Sequence, residues 1–345
     1  MSQPGFFDVD RRIAAISAKG DPLETIEAAV PWEAFRAPIE AVTLTRPEDR
    51  KSNAGRPGYD RVLKFKMLVL ASLYNLSDES LEFQVRDRLS FMRFLGLELH
   101  DPVPDATTIW LFREELVKAG KIGDLFDLFR QHLEARGYIA RGGQIVDASI
   151  VEAPKQRNTR QENDEIKAGK TPKDWDRKPA KNRQKDKDAR WAKKHGRSYF
   201  GYKNHVGIDK AHKIIRKWDV SDAAVHDSQK LDAVLDRANT GRTVWADSAY
   251  RSGDIEEKLA TLGLMSRVHH KGVRGRRLGA RQRQANKARS QVRARVEHVF
   301  GHQASSMGAR IVRTIGAARA RFKIGMTNLG YNIRRLVTLE RLAAA

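Results

Sequence analysis

Up to about residue 140 the apolar positions recur every three to four residues, and beyond that point short β-branched runs alternate with helical stretches. Leu23, Ile26, Ala29 and Val30 share one side of a helix, with Asp21 and Glu24 spaced as an N-cap and its reciprocal partner and Pro31 as its end. From Tyr59 the helical period strengthens through Leu63, Phe65, Met67, Leu68, Leu70, Ala71 and Tyr74. Ser77 caps a second helix that buries Leu81, Val85, Leu89 and Met92, and Asp105 a third through Ile109, Leu111, Phe112 and Leu116, which Gly120 ends. A fourth, with Leu125, Leu128, Phe129 and Leu133, runs up to Gly137. The pattern predicts an arm and linker over residues 1–58 and an all-α domain over 59–140, with helix-turn-helix spacing that suits either DNA recognition or dimerisation.

Residues 141–345 carry a different pattern. Ile145, Val146, Ile150 and Val151 make an interior strand, and Asp147 lies in its middle. Residues 155–197 are polar and basic with no apolar period beyond Trp175 and Trp191, which predicts an insertion that orders on a partner. Residues 199–208 and 213–220 read as a hairpin, followed by a helix from Asp227 to Gly241 that buries Leu231, Val234 and Leu235. Residues 243–247, TVWAD, form a fourth strand, and a helix at 255–262 leads to a fifth near 265–268. A right-handed crossover after a three-stranded meander lays the fourth strand parallel to the first and beside it, making Asp147 and Asp247 neighbours. Glu297 falls on a later helix beside Val296, Val299 and Phe300, at the same four-residue interval from Arg293 as Arg293 from Arg289. A salt bridge between Arg293 and Glu297 explains that interval as well as a catalytic role does. The last residues form one or two helices with Ile324, Leu329, Ile333, Leu336 and Leu339 inside and Asn332, Arg334 and Arg335 outside.

Charge sharpens this division. Of the net +22, residues 1–140 hold −3 and residues 141–345 hold +25, an asymmetry that suits a polyanion such as nucleic acid. There is no cysteine, which excludes disulfides and thiolate metal sites. No stretch is apolar and long enough to span a bilayer, so a soluble, cytoplasmic and nucleoid-associated protein is expected, with no membrane partner and no small-molecule substrate.

Three carboxylates in a basic domain without thiols or paired histidines suit a hard, oxygen-preferring ion. Two Mg²⁺ ions, with Mn²⁺ as a substitute, can activate a water or a DNA 3′-hydroxyl and stabilise the leaving oxygen of a phosphodiester displacement. The segment running from residue 55 to 97, then PDATTIWLFREEL, IVDASIVEAP, QKDKDARW, FGYKNHVGID, VHDS, ADSAYRS and RVEHVFG occur in the order found in DDE transposases of bacterial insertion sequences, family-five type, which the chain resembles nearly end to end.

That resemblance implies a ribonuclease-H-like α/β domain over 141–345, a mixed five-stranded sheet with flanking helices and the basic insertion. It implies Asp147, Asp247 and Glu297 as the catalytic and metal-binding triad, Arg293 as a DNA contact, and a homodimer or higher assembly on double-stranded DNA, both element ends and target. Two signature positions depart from the family: Ser290 stands where a Tyr is expected and Ala304 where a Lys is expected. Arg289, Arg276, Arg277, Arg281 and Arg283 are further DNA-contact candidates by charge, Lys203 because it alternates with His205 onto one face of its strand, which either approaches the acids or is solvated, and Tyr250 and Arg251 because they follow Asp247. The implied function is a transposase that binds terminal inverted repeats, cleaves 3′ strands and joins them to target DNA. The competing readings are an inactive DNA-binding descendant and a metal-dependent nuclease without strand transfer.

Overall fold

The computed structural model describes residues 7–43, 58–194, 196–272, 275 and 277–344. The chain divides into two compact units, Met1–Tyr138 with Gly325–Ala345, and Ile139–Ile324. No described helix is long and apolar enough to cross a membrane.

The first unit contains α1 (Asp8–Ala18), α2 (Pro22–Ala29), a 3₁₀ turn (Trp32–Phe35), α3 (Arg36–Thr43), α4 (Arg61–Tyr74), α5 (Asp78–Asp87), α6 (Leu89–Leu95), α7 (Ala106–Lys118) and α8 (Ile122–Ala135). Asp21, Asp60, Ser77 and Asp105 accept the backbone N–H groups of Leu23, Leu63, Ser80 and Thr108, so local side chains set where these helices begin. Phe35, Phe65, Phe91, Phe112 and Phe129 are fully buried in the core. The single helix expected from Ser77 through Met92 is instead two. Arg88 takes an extended conformation (φ −113°, ψ 112°) between them, and its guanidinium lies 4.2 Å from the centre of the Phe91 ring.

Residues 325–345 fall in this unit rather than with Asp147 and Asp247, and residues 7–43 are packed helices rather than an arm. The reason is apolar burial: Leu329, Ile333 and Leu336 are buried, Arg334 donates to the Leu73 carbonyl at 2.7 Å, and Glu340 pairs with Arg136 at 2.8 Å. Asn332, expected outside, is wholly buried with Asn328. Apart from Gly58, the expected linker at 49–58 lies outside the described residues.

The second unit is built on a sheet of β1 (Gln144–Glu152), β2 (Arg190–Lys194), β3 (Arg197–Asp209), β4 (Ile215–Asp222), β5 (Thr243–Trp245) and β6 (Met265–Ser266). β4, β3 and β1 form an antiparallel meander, and β5 and β6 follow on the other side of β1, parallel to it. This is the ribonuclease-H-like arrangement, with the two-sided apolar strand at its centre. β2, which falls within the expected insertion, adds a sixth strand against the start of β3.

The insertion is folded. α9 (Arg160–Lys167), α10 (Lys173–Asp176) and α11 (Pro179–Gln184) gather around Trp175, which is fully buried. Its indole N–H donates to Glu162 at 2.7 Å, and Lys181 binds the same carboxylate oxygen. Burying about 200 Å² of indole at about 25 cal/mol per Å² contributes roughly 5 kcal/mol before the opposing chain entropy. The expectation that this segment orders only on a partner is therefore corrected, because Trp175 supplies a core that its polar neighbours conceal.

The crossover between β4 and β5 is shorter than expected. A 3₁₀ turn (Asp227–Lys230) and α12 (Leu231–Val234) end well before Gly241, because the Asp236 N–H donates to the Gln144 side chain at 2.8 Å instead of continuing the helix. α13 (Gly253–Thr261), α14 (Ala280–Ser306) and α15 (Ala317–Ala344) complete the chain. Gly207 on β3 admits this crossover. A Cβ there would stand 1.9 Å from the Val234 carbonyl oxygen, so Gly207→Ala is expected to cost about 1–3 kcal/mol, measured as a lowered midpoint in denaturant unfolding.

Candidate active site

Asp147 and Asp247 are brought together by strand register. Gln144 pairs with Val244 and Ile145 with Trp245 across the parallel β1–β5 ladder, and the same offset carried two places further sets Asp147 level with Asp247. β5 ends at Trp245, and Asp247 caps a 3₁₀ turn (Ser248–Tyr250), its Oδ1 accepting the Ala249 N–H at 2.7 Å. Asp147 Oδ1 accepts the Ala148 N–H at 2.8 Å, and Oδ2 accepts from the Arg293 guanidinium at 2.7 Å. Both partners of this ion pair are largely buried, with 14% of the Asp147 side chain and 12% of the Arg293 side chain exposed.

The electrostatics follow from that burial. Lost hydration pushes the Asp147 carboxyl above the usual range, Arg293 and the Ala148 N–H pull it back, and the nearby Asp247 charge pushes it up again. Tyr250 is fully buried with a hydroxyl that has no hydrogen-bond partner. Burial raises it strongly, and the charges of Asp147, Asp227 and Asp247 add to the shift. Asp227 in turn is paired with Lys203 at 2.7 Å, and Lys203 also donates to the Val225 carbonyl at 2.7 Å. His205 is buried beneath, its Nε2 2.8 Å from Ser221 Oγ and its Nδ1 unpartnered, and burial pushes it down to about 4, so it is neutral.

Several expected DNA contacts face elsewhere. Tyr250 is sealed inside and Lys203 is turned onto Asp227, because each is drawn toward buried groups around the acids rather than to solvent. Arg251 pairs with Glu256 at 3.0 Å, and Arg289 donates to the Val268 carbonyl. Arg277, Arg281 and Arg283 are exposed, whereas Arg276 lies outside the described residues. Glu297 is exposed on α14, one turn beyond Arg293. Among the described residues no three acidic or histidine side chains are grouped so as to hold a metal, so two of the three expected ligands are brought together and Glu297 is not grouped with them. The local sequence casts Asp227 as a helix cap and gives no sign of its pairing with Lys203 beyond its place in VHDS.

The donor chemistry suits a hard cation. Two aspartates meet on adjacent strands, Asp147 within β1 and Asp247 just past β5, one of them desolvated, and a guanidinium already supplies the positive charge this pair calls for. A family model described as "Transposase DDE domain" matches residues 140–333, more than half of the chain, and one described as "Transposase domain (DUF772)" matches residues 11–115. The chain belongs to the DDE transposases of insertion sequences, family-five type.

Among solved structures, this transposase is similar to the piggyBac transposase in its synaptic complex with hairpin DNA, with a TM-score of 0.46, 12% identity, and coverage of 94% of this chain and 76% of that one. It also matches the Mos1 strand transfer complex, with a TM-score of 0.19, 10% identity, and coverage of 99% and 98%. Membership of the family rests on the two domain matches. Within the transposase, the departure at Ser290 has a visible consequence: its hydroxyl lies 3.4 Å from His269 Nε2.

Proposed function

We propose that this transposase binds the terminal inverted repeats of its insertion sequence, hydrolyses the 3′ strands at the element ends and joins the freed 3′-hydroxyls to target DNA. The observation that carries this reading is the meeting of Asp147, within β1, and Asp247, just past the end of β5, in a unit of residues 139–324 that holds +23 of the net charge while the remainder holds −1. Asp147, Asp247 and Glu297 are the residues that would hold two Mg²⁺ ions, or Mn²⁺ in their place. Bound there, the ions supply a nucleophile at neutral pH and stabilise the leaving oxygen.

Arg293 favours the ionised form of Asp147 against its burial and holds it in place by a 2.7 Å bond, and Glu297 rides on the same helix one turn further. Lys203 fixes Asp227, whose charge acts on the buried Tyr250. Arg277, Arg281 and Arg283 contact DNA phosphates. The near-neutral helical unit adds preference for element ends, and two or more copies assemble on the DNA, in the nucleoid.

The test is incubation of the full chain with DNA carrying the ends of its element, a target plasmid and Mg²⁺. Joined products are expected. Nicked ends without joining would reduce the protein to a nuclease, and intact DNA with retained binding would reduce it to an inactive descendant.

A further inference from the structure

The transposase reading leaves one feature beside the acids without a role, the paired histidines His269 and His270. The segment that carries them is clamped to α14 from three positions on one face of that helix. Asn286 holds His270 by both backbone groups, accepting its N–H at 2.8 Å and donating to its carbonyl at 3.0 Å. Arg289 donates to the Val268 carbonyl, and Ser290 Oγ meets His269 Nε2 at 3.4 Å. On the opposite side the His269 N–H donates to the carbonyl of Ala246, the residue before Asp247, at 3.1 Å.

Asn286, Arg289, Ser290, Arg293 and Glu297 fall at helical spacing along α14, so the clamp and the third acidic residue of the proposed triad share a face. The imidazole is half-buried and feels the charges of Arg293, Asp247 and Arg289. These bonds fix where the His269 imidazole stands relative to Asp247 and to the face of α14 that carries Arg293.

We propose that His269, with Ser290 beside it, binds a non-bridging oxygen of the DNA phosphate next to the one that reacts. This rests on the transposase reading above. The chemistry that favours a phosphate is the pairing of a ring nitrogen and a hydroxyl, held next to Asp247 by the His269 backbone bond to Ala246 and one helical turn from Arg293, in a unit of strongly positive charge. A 3.4 Å contact between Ser290 and His269 is long for a hydrogen bond, so an anionic oxygen can replace it with two shorter ones at little cost.

The experiment uses the full-length protein and duplexes carrying the ends of its element, with a methylphosphonate placed in turn at the reacting phosphate and at each neighbour. His269→Ala is expected to slow 3′-strand cleavage about a hundredfold while changing duplex affinity little, since a single donor near the reacting centre adds little to the many phosphates that hold the duplex. His269→Gln, which keeps a side-chain donor, is expected to recover most of that loss. A methylphosphonate at one neighbour should slow the wild type and not slow His269→Ala further.

Cleavage by His269→Ala within about threefold of wild type, or a loss that multiplies with the methylphosphonate at every position, overturns the assignment. Equal loss in the Ala and Gln variants, with a lowered melting temperature in both, also overturns it, by making His269 a prop for the loop. Wild-type protein that neither cuts nor joins the ends would overturn the transposase reading and this role together, a result distinguishable from the others because it needs no variant.

Discussion

Asp147→Asn and Asp247→Asn are each expected to lower strand cleavage at element ends by about a thousandfold or more, because charge stabilisation worth several kcal/mol disappears with the ligand. Glu297→Gln should do the same if the exposed carboxylate on α14 belongs to the triad. The stability of the Asp147 variant makes the test sharper. The folded protein holds the Asp147 carboxyl above its ordinary value, with burial as the leading cause, so the ionised form opposes folding at neutral pH.

The sign follows directly. A carboxyl whose pKa is raised on folding binds a proton more readily in the folded state, so its unfavourable contribution is present at neutral pH and fades as pH falls through the raised value. Replacing it by neutral Asn removes that contribution, and Asn Oδ1 can still accept from Arg293. Asp147→Asn, measured with a chelator present, is therefore expected to melt at or above the wild-type temperature while cleavage is lost. A lowered melting temperature together with lost cleavage would mean that the Asp147–Arg293 pair is a structural ion pair, and cleavage near the wild-type rate would remove Asp147 from the triad.

What could be read from the chain depended on the range of the interaction responsible. The caps at Asp21, Ser77 and Asp105 were legible because each satisfies a backbone donor two or three residues away. The adjacency of Asp147 and Asp247 was legible because handedness leaves a meander and crossover one way to close. Arg293 was visible as a family position and as a salt-bridge candidate for Glu297. Its actual partner is Asp147, 146 residues earlier, which no local interval reports.

The same limit explains the other differences. Strand alternation correctly put Lys203 and His205 on one face, but which face meets the interior was decided by Asp227 and Ser221, on segments that approach only in the folded sheet. Trp175 looked like an isolated aromatic in a charged run because its partners include the ammonium groups of Lys181 and Lys185, which stand over its ring, and the carboxylate of Glu162. Asn332 sits on a helix face whose burial depends on the units into which the chain folds, a property absent from its own heptad.

Binding to a duplex of arbitrary sequence is expected to weaken steeply with salt, by about 10³–10⁵ between 50 and 200 mM if six to ten phosphates are engaged. The charge behind this is the +23 of residues 139–324, and its most accessible portion includes Arg277 and Arg281, at and just before the start of α14, with Arg283, exposed but donating to the Leu278 carbonyl. Arg251, Arg289 and Arg293 lie nearer the acids but are already engaged, with Glu256, the Val268 carbonyl and Asp147. A guanidinium with an internal partner releases fewer counterions when DNA arrives than one in open solvent.

The two groups should therefore separate in one titration. Changing Arg277, Arg281 and Arg283 to Ala should reduce the slope of log K against log salt by about 0.9 for each phosphate no longer neutralised, hence by about two to three, Arg283 counting least because it already donates to the Leu278 carbonyl, with little change in melting temperature. Arg251→Ala and Arg289→Ala should leave the slope nearly as it is. Fluorescence anisotropy of a labelled random duplex across a salt series measures both. If the triple variant keeps the wild-type slope, the phosphate track runs elsewhere, and the folded insertion between β1 and β3, with its lysines around Trp175, becomes the surface that grips the DNA.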